Sequence, residues 1–274
     1  MESKVGKWML VFLLIFVIIV LTVILILGIK GDFGFFNRGQ RHLLKSEKYA
    51  INNIENIKVE AREAQVKFIV KDDVQDIEIS IYGKNEEYAV IQLENNYLSV
   101  KYKSTAFCFG FCFDNSLIEI IIPSNYQNDI SVDTVSGDVY LDETMAKKLQ
   151  VKTVSGEIEI GNYKDVVLTT TSGDVKVSSA EHLEVRTISG DVDVNNILGY
   201  VNISTTSGSV NIERLEVLKN SVIKSVSGDV EIERCNTVYV DAKTTSGDID
   251  IYENSRLSDI VLNITTVSGD IEVN

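Results

Sequence analysis

At 274 residues the chain is long enough to bury a large core in one domain or two. Its net charge of −14 is unevenly spread: residues 130–274 carry 24 acids and 12 bases, a net of −12, which leaves −2 for the first 129 residues. An acidic body of this kind repels phosphate backbones and argues against nucleic acid as a partner. Three cysteines and two histidines, with no CxxC or other metal-ligand spacing, give no support for zinc.

The chain opens on an apolar run. Residues Trp8 to Ile29 are 22 uncharged, almost wholly apolar positions, which as a helix at about 1.5 Å per residue reach roughly 33 Å and span a bilayer. The run is longer than the apolar region of a cleaved signal peptide, and no A-x-A-like site comes after it, so residues 1–30 read as an uncleaved signal anchor. Phe33, Phe35 and Phe36 lie next, at interface depth, in a juxtamembrane linker, residues 31–50. Lys4 and Lys7 precede the helix while Lys30, Arg38, Arg41, Lys45 and Lys48 come after it; a literal positive-inside count would keep the C-terminal bulk in the cytoplasm.

Residues 51–129 read as strand after strand. Ile57, Val59 and Ala61 alternate with polar residues, as do Ile77, Ile79 and Ile81, while Leu98, Val100 and Tyr102 come after the turn-like Glu94-Asn95-Asn96. Residues 82–85, Tyr-Gly-Lys-Asn, form a further turn signal, and Leu117 to Ile122 is a short strand stopped by Pro123, the only proline. This block is expected to cap the C-terminal part of the chain. In the run AFCFGFCF, Cys108 and Cys112 could meet across a hairpin as a disulfide or remain two buried thiols.

From residue 130 onward the sequence repeats. A motif of the form apolar, x, Thr, x, Ser, Gly, Asp, apolar, x, apolar recurs with its glycine at Gly137, Gly156, Gly173, Gly190, Gly208, Gly228, Gly247 and Gly269, in steps of 19, 17, 17, 18, 20, 19 and 22 residues. Positions two apart on a strand share a face. Pairs such as Val151 and Thr153 therefore face one way, with the serine before the glycine continuing that face, and so do pairs after the glycine such as Val175 and Val177. The two halves are out of phase by one residue, and a bend at Ser-Gly-Asp, with glycine at positive φ, is expected to repair the slip. Each repeat then reads as one rung of a β-solenoid, all-β, with Val and Ile stacked inside and Thr hydroxyls needing internal partners. At the far end, Ile271 and Val273 would leave an open edge suited to weak self-association or to a partner strand.

The acids after the glycines form a column: Asp138, Glu157, Asp174, Asp191, Asp229, Asp248 and Asp270, interrupted by Ser209. At a rung spacing of about 4.8 Å, neighbouring charges repel by about 0.9 kcal/mol even in water. The bland reading is that each carboxylate accepts a hydrogen bond from its own turn; the sharper one is that the column collects divalent cations, although the GGxGxDxUx pattern of calcium-binding rolls is missing. No catalytic residue, cofactor or resident metal is indicated. His182 reads as a surface turn histidine, and the short inter-rung segments leave little material for a substrate cleft.

An anchor, a β-rich leader with a strand ending in Ile122-Pro123, and serial T-x-S-G-D units resemble the bacterial DUF4097 family of putative adhesins, which includes LiaG-like membrane-anchored proteins, over roughly residues 50–274. The resemblance implies a β-solenoid over residues 130–274, on the outside of the membrane, with an envelope-associated role and no catalytic residue to carry over. Two functions are open: an interaction or adhesin-like module for a protein partner, accessory to stress signalling, or a bactofilin-like polymer that joins end to end at the membrane.

Overall fold

The computed structural model describes residues 41–103, 116–216, 221–235, 239–253, 261–265, 267–268 and 270–273. The apolar run at residues 8–29, the Cys108 and Cys112 segment and Gly269 lie outside them. Among the described residues no helix is long and apolar enough to cross a membrane.

The described body is all-β. Its leader holds β1 (His42–Ala50), β2 (Asn56–Ala61), β3 (Gln65–Lys71), β4 (Asp76–Gly83), β5 (Ala89–Glu94), β6 (Tyr97–Tyr102) and β7 (Leu117–Pro123). The repeats supply β8 (Asp129–Asp133), β9 (Val139–Leu141), β10 (Lys148–Lys152), β11 (Ile158–Thr169), β12 (Val175–Arg186), β13 (Val192–Ser204), β14 (Val210–Leu215), β15 (Ser221–Lys224), β16 (Val230–Cys235), β17 (Tyr239–Lys243), β18 (Ile249–Glu253), β19 (Val261–Thr265) and β20 (Ile271–Val273).

Each repeat makes one strand before its glycine and one after it, and both pair in parallel with the same strands of the next repeat. The register keeps inward residues in columns. Val132, Val151, Leu168, Val185, Ile203, Ile223 and Ala242 lie opposite one another in turn, as do Val139, Ile158, Val175, Val192, Val210, Val230 and Ile249. All are buried. A one-residue slip would turn each column to water, and with about 1.5–3 kcal/mol for each buried Val or Ile this fixes the register. A further inward column, Tyr163, Ala180, Ile197, Leu215 and Cys235, marks a shallow bend where one repeat runs into the next. The Tyr163 hydroxyl donates to the Asp142 carbonyl at 2.8 Å. In the apolar column of Val201, Ser221 is tolerated because its buried hydroxyl accepts the Val201 N–H at 3.2 Å.

The leader contributes rungs as well as a closure. β2 pairs in parallel with β6 on one side and β8 on the other, and β3 lies likewise between β7 and β9. The β2–β3 unit is therefore a rung without the motif, with Ala61 opposite the threonine position and Ala64 at the glycine position. Outside it the β6–β7 unit is a further rung, with residues 104–115 inserted between its two strands. Antiparallel strands close that end: β4 on β7, β1 on β4, and β5 on β6 through a hairpin in which Asn95 and Asn96 take φ of 49° and 63°. Asparagine adopts this left-handed conformation more readily than other residues with a Cβ, and two in succession suit a tight hairpin turn.

Candidate interaction surface at the repeat corners

The motif is explained by the hydrogen bonding of its corner. After the buried threonine, two residues in succession face outward, so the phase slip occurs between Thr and Gly, and the glycine itself points in. The serines are exposed, contrary to the expectation that they continue the inner face. The carbonyl of the residue between Thr and Ser accepts the N–H of the serine one rung on, as from Ser155 to Val135 at 2.9 Å, Ser189 to Thr171 at 2.9 Å and Ser246 to Val226 at 2.8 Å. The glycine N–H turns inward to the threonine three residues earlier: Gly156 to Thr153 at 3.0 Å, Gly173 to Thr170 at 2.9 Å, Gly190 to Thr187 at 3.0 Å and Gly208 to Thr205 at 3.0 Å. Ser225 serves Gly228 at 2.8 Å. The inner hydroxyls thus find backbone partners, as buried polar groups must.

Positive φ is not the reason for glycine, because none of the described corner glycines adopts it. Stacking is the reason. A Cβ on Gly156, Gly173, Gly190, Gly208 or Gly228 would stand 1.9–2.1 Å from the carbonyl oxygen of the glycine in the preceding rung, and on Gly137 it would stand 2.0 Å from the Ala64 carbonyl. At Gly247 the approach to Gly228 relaxes to 2.6 Å. One glycine hydrogen points at the carbonyl of the preceding rung, a contact of the Cα–H···O type that repeats along the column.

The acidic column is likewise built into the ladder, with the bond running to the next rung instead of the residue's own turn. Asp138 accepts the Glu157 N–H at 3.0 Å, Asp174 that of Asp191 at 3.0 Å, Asp191 that of Ser209 at 2.8 Å, Asp229 that of Asp248 at 2.9 Å and Asp248 that of Asp270 at 2.7 Å. A corner amide that would otherwise lack a partner is capped by a charged acceptor, which offsets the repulsion along the column. Glu157 departs from this, giving its carboxylate to Lys176 at 2.7 Å. Towards the end of the stack, burial together with Glu272, Asp248, Asp229 and Asp270 pushes the Asp250 carboxyl above its ordinary value. Among the described residues no group of three or more His, Cys, Asp or Glu side chains could hold a metal ion.

One row of the motif escapes a reading by alternation. The residue between Thr and Ser is β-branched in every copy: Val135, Val154, Thr171, Ile188, Thr206, Val226, Thr245 and Val267. It points out. Val135, Val154, Ile188 and Val226 are 46–52% exposed and Val267 is 78% exposed. A column of stiff apolar and methyl-bearing side chains, flanked by serines and acids, thus runs along one ridge at about 4.8 Å per step. The signal was the β-branched residue at the x position of every copy, which alternation treats as an ordinary outward residue. His182, expected in a turn, sits on β12 with its Nδ1 2.6 Å from Asp165 Oδ1 in the rung below.

The sequence matches the Toastrack DUF4097 family over residues 54–274. No curated protein matches the chain in sequence. Among solved structures, a putative lipid binding protein from Parabacteroides distasonis is similar with a TM-score of 0.57 and 16% identity, over 86% of this chain and 98% of that one. A putative adhesin from Bacteroides fragilis gives a TM-score of 0.47 and 18% identity, over 85% of this chain and 97% of its own. With the family match covering most of its length, the chain belongs to the Toastrack DUF4097 family.

Proposed function

We propose that the chain is an adhesin-like interaction module of the bacterial cell envelope, tethered to the membrane by residues 8–29 and presenting its corner ridge to a protein partner. The observation that carries this reading is the exposed β-branched column. Scattered surface hydrophobics need no explanation, but a row of Val and Ile interleaved with Thr, held in register by two backbone ladders, is a surface prepared for contact. The side chains are short and rotationally stiff and the backbone beneath them is held by the rung-to-rung hydrogen bonds, so little freedom is lost on docking. The serine and acid rows beside the column supply a polar rim of the kind that borders protein interfaces.

Envelope placement is tested by fusing alkaline phosphatase or green fluorescent protein after Asn274. An active phosphatase and a dark fluorescent protein are expected; the reverse pair would put the solenoid in the cytoplasm and overturn the envelope role. A charged ridge, Val154→Lys with Ile188→Lys and Val226→Lys, is expected to fold with an unchanged far-ultraviolet spectrum and to lose its partner in a pull-down.

A further inference from the structure

Tyr140 is a departure from the repeat that lines an open groove of about 550 Å³, on the strands that come after the first two corner glycines. The residue between the two inward apolar positions after the glycine is Tyr140 here, whereas the aligned positions of the next rungs are Glu159, Lys176, Asp193 and Asn211. The same rungs carry Glu157, the one glutamate in the aspartate column, and the connection 142–147, whose first residues Asp142 and Glu143 form a wall of the groove.

That wall is held rigidly. A Cβ on Gly161 would stand 2.6 Å from the Glu143 nitrogen, so this glycine is what lets the connection lie directly on β11. Glu143 accepts the Asn162 amide at 2.7 Å, Asp142 accepts the Val70 N–H at 3.3 Å, and the Asp142 carbonyl takes the buried Tyr163 hydroxyl at 2.8 Å. Glu159 completes the carboxylates on the lining, while Gln65 and Lys67 bring donors from β3. The Tyr140 hydroxyl is held protonated, its pKa raised by burial and then by Asp138, Glu157 and Glu159.

One aromatic surface, several preset carboxylate acceptors and two donors, in a shallow trough open to solvent, are complementary to a polyhydroxylated ring. The ring's C–H face packs on the phenol, its hydroxyls donate to the carboxylates, and its oxygens accept from the lysine and the amide. An acyl chain would strand these charges in an apolar contact, and phosphate or carboxylate groups would meet like charge. We propose that the groove around Tyr140 is a subsite for a neutral glycan, which rests on the reading of the chain as an interaction module and names a ligand class for it.

The test uses the full chain in detergent and saturation-transfer NMR with a panel of neutral glucose-, mannose-, galactose- and N-acetylglucosamine-containing tetrasaccharides, with oligogalacturonate as the anionic comparison. At least one neutral member is expected to bind, the anionic one to bind more weakly, and Tyr140→Ala to weaken binding about tenfold or more. Tyr140→Phe should retain most of the affinity, and Glu159→Gln should reduce it in a chain whose melting is unchanged. Absence of binding across the neutral panel, or binding that survives both Tyr140→Ala and Glu159→Gln, overturns the subsite. Capture of a protein through Ile188 would persist in that case, so failure of the subsite and failure of the interaction reading give different results.

Discussion

Gly190→Ala adds a single methyl at a corner where the glycine column is tightly stacked. The new Cβ would sit 2.0 Å from the Gly173 carbonyl oxygen, and relief to an ordinary contact of about 3.3 Å requires the two rungs to part by about 1.3 Å. That opening would carry the flanking bonds, Ser189 N–H to Thr171 at 2.9 Å and Asp191 N–H to Asp174 at 3.0 Å, beyond hydrogen-bonding range. Two such bonds contribute about 1–3 kcal/mol and the residual overpacking another 1–3, giving a cost of about 2–6 kcal/mol. Gly247→Ala needs only about half that movement, since its Cβ would start 2.6 Å from the Gly228 oxygen, and should cost clearly less. Urea denaturation of the full chain in detergent, followed by circular dichroism, reads the midpoints; comparing midpoints avoids assuming two-state behaviour in a repeat protein. The steric account requires Gly190→Asn to be at least as harmful as Gly190→Ala. A milder asparagine would point to left-handed backbone, which asparagine tolerates, and an unchanged midpoint for alanine would refute the stacking argument altogether.

Thr187→Val should cost about 1–3 kcal/mol, because the buried Gly190 N–H loses its acceptor, whereas Thr187→Ser should cost less, as Ser225 already does the same work; thermal melts of the two variants decide it. Asp191→Ala should destabilise by about 1 kcal/mol through loss of the bond from Ser209 N–H, and Asp191→Asn should restore most of it; equal melting of all three chains would show that the column is only a solvated face. Hydrogen bonds from Lys103 at 2.6 Å and then Lys58 hold the Glu60 carboxyl at about 2, below its ordinary 4.5. A lowered folded pKa stabilises above the unfolded value and fades as pH falls toward the folded one, so the melting advantage over Glu60→Gln should be full above pH 4.5 and vanish near pH 2. An advantage independent of pH across that window would contradict the assignment.

The fold was legible because the repeat states its own period twice, in spacing and in the alternation of Val and Ile about each glycine. The inward threonines were legible for the same reason. What alternation could not supply was the direction of the serine, the second residue after the threonine, since a strand that turns a corner can spend one residue outward on either side of its glycine. Alternation puts Ser155 and Ser189 inside, on the wrong side of that ambiguity, and it places Val154 and Ile188 outward without marking them off from any other outward residue. The role of the glycine is misread from sequence because a lone chain suggests φ, whereas the constraint comes from the carbonyl of the neighbouring rung. The rungs hidden in the leader were invisible as repeats: Ala64 and Gln65 stand where the motif has Gly and Asp, and only the pairing of β2 with β8 and β3 with β9 shows the correspondence. The groove at Tyr140 depends on a wall made by Asp142 and Glu143 lying over Gly161, which no local pattern announces.

The interaction reading is tested most directly by a photo-crosslinking amino acid placed in intact cells at Ile188, on the ridge, or at Leu198, an equally apolar and exposed position on β13 away from it. A discrete adduct with a protein from Ile188 and none from Leu198 is predicted, with the Ile188 adduct lost when Val154→Lys and Val226→Lys flank the probe. The same products from both positions, or none from either, would contradict the ridge as a docking surface.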